Sequence, residues 1–220
     1  MVAEPPNFAP MGHDIDLLTW KRREHFELYR GFANPFFSVT AEVDAGPTRE
    51  LCAEAGGPSF FLATVFLALR ACNDIEAFRT RVRGNGAWVH DQVSITPTVL
   101  RADDTFGFVR FDPAPDFKTF AAAGKTAIEE AKKLKPLVVE HPDDDLIYHS
   151  TIPWVRFSSF TNALNGAADS VPRVVFGKCV RDGQRSPMPV GVEVHHAVVD
   201  GLDVGKFFEK FESGLQAFRG

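Results

Sequence analysis

The sequence has few cysteines, no long hydrophobic run and no secretory pattern at its start. Cys52, Cys72 and Cys179 are widely spaced and odd in number, and no Cys-x-x-Cys pair occurs. They therefore indicate free thiols in a reducing compartment. The most apolar run, residues 60–69, is too short to cross a bilayer, and residues 1–10 lack the basic patch and apolar core of a signal peptide. We therefore expect a cytoplasmic protein without a membrane partner.

Basic residues are in the minority, with 24 Lys and Arg against 29 Asp and Glu and a formal net charge of -5. Lys and Arg form only short clusters, so nucleic acid is not expected as a partner. With 220 residues, 45% of them hydrophobic and 21 of them Phe, the chain can bury a large core. No internal repeat or low-complexity segment occurs. We expect residues 1–220 to form a single domain.

Hydrophobic periodicity predicts an α+β fold. Helical patterns occur at residues 24–29, from a Ser59 cap to about residue 73, at residues 116–134 and from residue 202 onward. Alternating patterns bounded by turn residues predict strands at residues 36–43, 80–82, 87–89, 96–101, 106–111, 146–150, 173–181 and 188–194. Because this order is not a regular βαβ alternation, we predict a two-layer sandwich in which helices cover a mixed sheet.

The most informative motif is His-His-Ala-Val-Val-Asp-Gly at residues 195–201. It follows a strand pattern and precedes a helical one, so the histidines lie at a strand end. An imidazole there can accept a proton near neutral pH, and Gly201 permits the turn before the helix. A pair of this kind also occurs as one packed and one solvated histidine. Adjacent histidines on a strand face opposite ways and seldom share an ion, so no metal is expected.

Three blocks of sequence, in the same order, resemble the chloramphenicol acetyltransferase family. They are the motif at residues 195–201, the segment Trp-Lys-Arg-Arg-Glu-His-Phe-Glu-Leu-Tyr-Arg at residues 20–30, and the segment Ser-Thr-Ile-Pro-Trp at residues 150–154. The first block alone is similar to the wider superfamily, which includes dihydrolipoyl acyltransferases and condensation domains. The second is more specific. The resemblance implies a chloramphenicol acetyltransferase-like fold.

The resemblance also implies roles for five residues. It makes His196 the general base that removes a proton from an acceptor hydroxyl, and Ser150 the donor of a hydrogen bond to the oxyanion of the tetrahedral intermediate. Asp200 is expected to pair with Arg22 and to hold the strand end in shape. His195 is expected to be structural. Transfer from acetyl-CoA is then direct, in a ternary complex and without an acyl-enzyme.

The acceptor pocket is implied by the same resemblance. Tyr29 and Phe160 match aromatic residues that contact the antibiotic, and further pocket positions are Leu28, Thr98 and Leu137. Three positions depart from the family pattern. Val175 replaces a threonine that orders water, Tyr148 replaces an asparagine, and Arg173 replaces an aliphatic residue. These departures leave the acceptor open.

Three hypotheses follow. The leading one is an acetyl-CoA-dependent O-acetyltransferase that inactivates chloramphenicol, assembled as a homotrimer whose active sites lie between subunits, with CoA and acceptor entering from opposite ends. The second is an enzyme of the same fold that acts on another alcohol or amine. The third is a non-catalytic assembly core of a multienzyme complex, although the sequence contains no lipoyl segment or Ala/Pro-rich linker.

Overall fold

A computed structural model describes residues 12–133 and 144–220. The helices are α1 (Arg23–Tyr29), α2 (Gly46–Ala53), α3 (Phe60–Asn73), α4 (Glu76–Arg79), α5 (Phe117–Lys132) and α6 (Gly201–Ala217). The strands are β1 (Gly12–Asp14), β2 (Phe36–Asp44), β3 (Thr80–Arg83), β4 (Gly86–His90), β5 (Ser94–Leu100), β6 (Phe106–Phe108), β7 (Leu146–Thr151), β8 (Arg173–Phe176) and β9 (Pro187–His195).

A six-stranded mixed sheet forms the centre of the molecule, in the order β2-β9-β8-β7-β5-β6. β7 runs parallel to both β5 and β8, and the other neighbours are antiparallel. A smaller antiparallel sheet has the order β1-β4-β3. Helices α3, α5 and α6 pack together and contact strands of the large sheet. The predicted α+β class with a mixed sheet is confirmed.

Helix α3 is the centre of the helical layer. All side chains from Leu62 to Leu69 are buried, as the apolar pattern on every side of this segment predicts. The Ser59 hydroxyl accepts a hydrogen bond from the Leu62 amide at 3.4 Å, which satisfies one of the free amides of the first turn. The predicted cap and helix are therefore confirmed.

Helix α6 is attached to the sheet by stacked phenylalanines. The ring of Phe211 lies parallel to that of Phe176 in β8, with centroids 5.2 Å apart, and Phe207 stacks on Phe78 at 5.4 Å. Such aromatic pairs contribute about 0.5–1.5 kcal/mol beyond the burial of their area. This packing holds α6 against β8 and α4.

Several element boundaries differ from the prediction. The strand predicted for residues 173–181 ends at Phe176, where its regular pairing with β9 stops; beyond it the Gly177 amide still bonds the Pro189 carbonyl at 2.8 Å and the Val180 amide bonds the Pro187 carbonyl at 3.2 Å. The strand predicted for residues 106–111 ends at Phe108, and Phe111 forms only an isolated bridge with Ile95. Gly46 and Pro47, which the sequence pattern indicates as a break after the strand at residues 36–43, instead begin α2, since a proline is favoured in a first helical turn. Helices α2 and α4 and strand β1 were not predicted.

The two faces of the large sheet carry different residues. On β8 and β9 the valines and phenylalanine that belong to the core point toward the helices. Because successive side chains of a strand alternate, the other face, here called the outer face, carries a second set of residues: Thr98, Tyr148, Ser150, Arg173, Val175, Gly191, Glu193 and His195. Residues 157–169, without regular secondary structure, lie over part of this face, where Phe160 approaches Gly191.

Candidate active site

His196 is the first residue after β9. Its amide donates a hydrogen bond to the Pro35 carbonyl at 2.8 Å, and the His195 carbonyl accepts hydrogen bonds from the amides of Val198 and Val199 at 3.1 Å. The turn is therefore made by the residues between the histidines and Asp200. Gly201, which was expected to permit this turn, begins α6 and is not among the residues with positive φ, so the turn does not use its conformational freedom.

Two aromatic rings hold the imidazole of His196. Tyr29 stacks on it with centroids 4.0 Å apart and an interplanar angle of 9°, and Phe37 lies at 4.6 Å on a tilted plane. Nδ1 is buried and lies 3.3 Å from Oδ1 of Asp200, yet makes no hydrogen bond of good geometry within residues 12–133 and 144–220. About 31% of the side chain is exposed. The ring is thus fixed in position while part of it is open to solvent.

Arg22 and Asp200 form an ion pair beside this ring. Nη1 of Arg22 contacts Oδ2 of Asp200, and Nη2 donates to Oδ1 at 3.2 Å and to the His196 carbonyl at 3.1 Å. The Asp200 amide donates to the Asp203 carboxylate at 3.1 Å, and the Asp200 carboxylate lies at the N-terminus of α6, where a negative charge is favoured. The pair connects the residue preceding α1 with the turn that carries His196.

His195 faces the opposite way from His196. Its Nε2 lies 3.0 Å from the Ala167 carbonyl, and its Nδ1 accepts from the Ala197 amide at 3.2 Å. These partners assign the proton to Nε2. Burial lowers the pKa of His195, because desolvation penalises the charged ring. A neutral, buried and doubly bonded histidine is suited to holding the turn rather than to exchanging protons.

Four other predicted site residues, Thr98, Tyr148, Ser150 and Val175, lie on the outer face, and Phe160 lies above it. Ser150 is half-buried and pairs with Val175, while Tyr148 is 37% exposed. Val175 is only 1% exposed. Within one chain it is therefore covered by neighbouring residues and does not line an open pocket, although the family pattern placed it in the acceptor pocket. Leu28 is exposed on α1. Leu137 falls outside the residues that the structure describes.

The structure does not bring Ser150 and His196 together within one chain. Ser150 pairs with Val175, and Val175 pairs with Gly191 on β9. His196 follows Gly191 by five residues, which places it about 16 Å along the strand and about 10 Å across two strand spacings, or on the order of 20 Å away. One group therefore surrounds His196, and a second, separate group surrounds Ser150.

Some neighbours of these groups were missed by sequence reasoning. Phe37 packs on His196, and Phe36 packs on both His195 and the guanidinium of Arg173. Their only sequence signal was the β2 strand pattern, which does not reveal a partner. A cavity of about 710 Å³ lies between α3 and α6 and away from both groups. Across the described parts of the chain there is no cluster of three metal-ligating side chains and no helix that could span a membrane.

Comparisons with known proteins agree with this geometry. The family model described as chloramphenicol acetyltransferase matches residues 11–212. Chloramphenicol acetyltransferase 2 of Escherichia coli is 33% identical over 202 residues, covering 90% of this chain and 94% of its own, and chloramphenicol acetyltransferase 3 of Escherichia coli is 30% identical with the same coverage. A solved chloramphenicol acetyltransferase superposes with a TM-score of 0.86 at 30% identity, over 93% of this chain and 100% of its own. The chain belongs to the chloramphenicol acetyltransferase family.

Proposed function

We propose that this protein transfers an acetyl group from acetyl-CoA to a hydroxyl of chloramphenicol and thereby inactivates the antibiotic. The observation that carries the proposal is the placement of His196, whose ring is held by Tyr29 and Phe37 at the end of β9. Relatives named for this activity match about nine-tenths of the chain.

We also propose that residues 1–220 form one domain, since most buried apolar residues of the described segments belong to one cluster.

His196 acts as the general base in this proposal. Nδ1 faces the Asp200 carboxylate at 3.3 Å, which favours the tautomer that carries its proton on Nδ1. Nε2 then has a free lone pair to accept the proton of the acceptor hydroxyl as the oxygen attacks the thioester carbonyl. The imidazolium returns that proton to the departing thiolate. Proton transfer of this kind contributes about 10²–10⁴ in rate.

Ser150 stabilises the oxyanion that forms on the thioester carbonyl. Its hydroxyl lies on the outer face near the carboxyl end of β7, where it can donate one hydrogen bond to the developing charge. A single donor of this type contributes about 10²–10³ in rate. Acetyl-CoA supplies the activated acyl group when bound. Exposed Lys178 lies at the same end of the sheet, and its charge suits the phosphates of CoA.

We propose a homotrimer in which Ser150 of one subunit and His196 of its neighbour face the same acceptor. The separation of about 20 Å within one chain, estimated from strand spacing, supports an intersubunit site. Strand β2 supports it as well, because this nine-residue strand is an edge of the large sheet. A long exposed edge presents unpaired backbone groups that another chain can satisfy.

The compartment that we propose is the cytoplasm. The three cysteines, Cys52, Cys72 and Cys179, are free thiols in the structure, which suits a reducing environment. Burial raises the pKa of each of these thiols, so they persist as neutral groups.

The first experiment follows release of the CoA thiol from acetyl-CoA, with and without chloramphenicol, for the wild type and for His196→Ala. We expect drug-dependent release that falls by about 10²–10⁴ in His196→Ala, with unchanged unfolding behaviour. Absence of drug-dependent release from a folded wild type that binds acetyl-CoA would reject chloramphenicol as acceptor. That result would favour the second candidate, an enzyme of the same fold that acts on another alcohol or amine. Tyr148 and Val175 support this candidate because they depart from the family pattern in the acceptor pocket.

A further inference from the structure

Tyr148 is the most exposed of the predicted acceptor residues on the outer face of the sheet. It lies two residues before Ser150 on β7, so both side chains share one face. About 37% of Tyr148 is exposed, whereas Arg173, its partner on β8, is 3% exposed. The phenol therefore projects from the sheet beside the proposed oxyanion donor, above a buried cation.

The guanidinium of Arg173 contacts two aromatic rings. Its central carbon lies 5.4 Å from the centroid of Tyr148 and 5.5 Å from that of Phe36. Both distances fall within the range of a cation–π contact, which is stronger when the cation is desolvated. Arg173 thus supports the Tyr148 ring from beneath.

Arg173 is itself fixed. Nη2 donates to Oδ2 of Asp169 at 2.5 Å, and Nη1 donates to the Val171 carbonyl at 3.0 Å. The Tyr148 amide donates to the Pro172 carbonyl at 2.9 Å, which anchors the backbone on the same segment. The position of the phenol is therefore determined by residues 169–173 as well as by β7.

The hydroxyl of Tyr148 makes no hydrogen bond with any part of the chain that the structure describes. Burial raises the pKa of Tyr148, and the nearby carboxylate of Asp169 raises it further. The phenol therefore keeps its proton near neutral pH and can act as a hydrogen-bond donor. The neighbouring Val175 offers no polar atom in its side chain.

We propose that the Tyr148 hydroxyl donates a hydrogen bond to an oxygen of an uncharged acceptor, and that Arg173 positions its ring. Tyr148 is then a specificity-determining residue of the acetyl transfer proposed above, on which this inference rests. The Tyr148 hydroxyl, on β7, provides a polar contact to the acceptor, whereas the neighbouring side chain of Val175 has no polar atom. The acceptor class is a neutral alcohol with a second oxygen-bearing group within reach of the phenol.

The test compares Tyr148→Phe with the wild type, using chloramphenicol and acetyl-CoA. Removing the hydroxyl while keeping the ring is expected to raise the KM for chloramphenicol about five- to tenfold, the usual effect of one neutral hydrogen bond. The kcat and the KM for acetyl-CoA are expected to stay within about twofold of the wild type, because Tyr148 does not touch the reacting atoms. Calorimetric titration of chloramphenicol into the His196→Ala background measures the same loss without turnover.

Arg173→Lys tests positioning, because lysine keeps the charge but loses the planar stacking and the forked hydrogen bonds. We expect a several-fold rise in the chloramphenicol KM from this change alone, and little further rise when it is added to Tyr148→Phe. Full additivity would show that Arg173 acts independently of the hydroxyl. An active wild type with an unchanged KM in Tyr148→Phe would overturn the Tyr148 assignment, whereas an inactive wild type counts against the proposed function itself.

Discussion

Side chains from three parts of the chain restrict the ring of His196. Tyr29 stacks on the ring, Phe37 packs against it on a tilted plane, and Oδ1 of Asp200 lies 3.3 Å from Nδ1. Arg22 holds Asp200 and also bonds the His196 carbonyl. The side chain of Asp200 is 35% exposed, so solvent weakens this pair relative to a buried one. The pair also reaches the turn itself, because Arg22 bonds the backbone carbonyl of His196.

Another histidine, His149, directly precedes Ser150 on β7 and is buried on the core face of the sheet. It is 3% exposed, its ring packs on Phe176 at 4.5 Å, and Nε2 contacts the Thr151 hydroxyl at 3.1 Å. Nδ1 finds no hydrogen-bond partner within the described segments. Burial lowers the pKa of His149 to about 3 from its ordinary 6.5. The native protein therefore keeps this ring neutral across most of the acidic range.

This burial makes His149 a source of acid sensitivity. Between about pH 6.5 and pH 3 the unfolded chain binds a proton at His149 that the native state does not. The free energy of unfolding should therefore decrease as the pH is lowered, by up to about 1.4 kcal/mol per pH unit from this residue. We expect His149→Val to show a shallower loss in urea unfolding followed from pH 7 to pH 4 at fixed protein concentration. His25→Gln, at an exposed site, is the control, and equal slopes in wild type and His149→Val would contradict the expectation.

At the level of elements, β9 shows what the sequence could predict. The alternation of Val190, Val192 and Val194 with Gly191 and Glu193 predicted a half-buried strand; the strand is confirmed, but all nine of its residues are buried, so the expectation of one exposed face is wrong. The pattern also placed the histidines at the strand end. It could not reveal the neighbours of β9, because β2 and β8 come from distant parts of the chain and are selected by tertiary packing. The contacts of His196 with Tyr29 and Phe37 depend on that pairing.

The end of β8 shows the opposite case. The strand was predicted to run to residue 181, yet its regular pairing with β9 stops at Phe176, next to the close approach of Gly177 to the ring of Phe157. The Gly177 amide still bonds the Pro189 carbonyl at 2.8 Å. A contact between residues twenty positions apart carries no local sequence signal, so the boundary could not be predicted.

Gly177→Ala tests this close approach. The added Cβ would lie 2.9 Å from Cε1 of Phe157 and 3.1 Å from the Val155 carbonyl oxygen, and relieving both contacts should destabilise the protein by about 1–3 kcal/mol. The matched control is Gly205→Ala in α6, where a Cβ meets no atom of the described chain within 4 Å. That change should stabilise the protein by about 0.5–1 kcal/mol. Chemical denaturation measures both, and equal effects would show that Phe157 yields without cost.

At the scale of the whole molecule, the chain places His196 and Ser150 toward opposite ends of one sheet. The resemblance to a known family singled out both residues, but neither composition nor periodicity could show that they are separated. The register of β7, β8 and β9 is what separates Ser150 from His196. The edge strand β2 and the distance between Ser150 and His196 both favour an assembly in which neighbouring copies complete each other's sites.

Complementation between inactive variants tests this assembly. Ser150→Ala and His196→Ala are each expected to lose most activity, because every site then lacks one of its two groups. If Ser150 and His196 of a site come from different subunits, a mixed trimer contains one site with both native residues. Unfolding and refolding the two variants together in equal amounts should then restore about a quarter of the wild-type sites, as expected for random assembly of a cyclic trimer. Thiol release in the mixture, compared with each variant refolded alone, measures the recovery. Trimers with no recovered activity would show that Ser150 and His196 act within one subunit, and a monomer by light scattering would reject the intersubunit site.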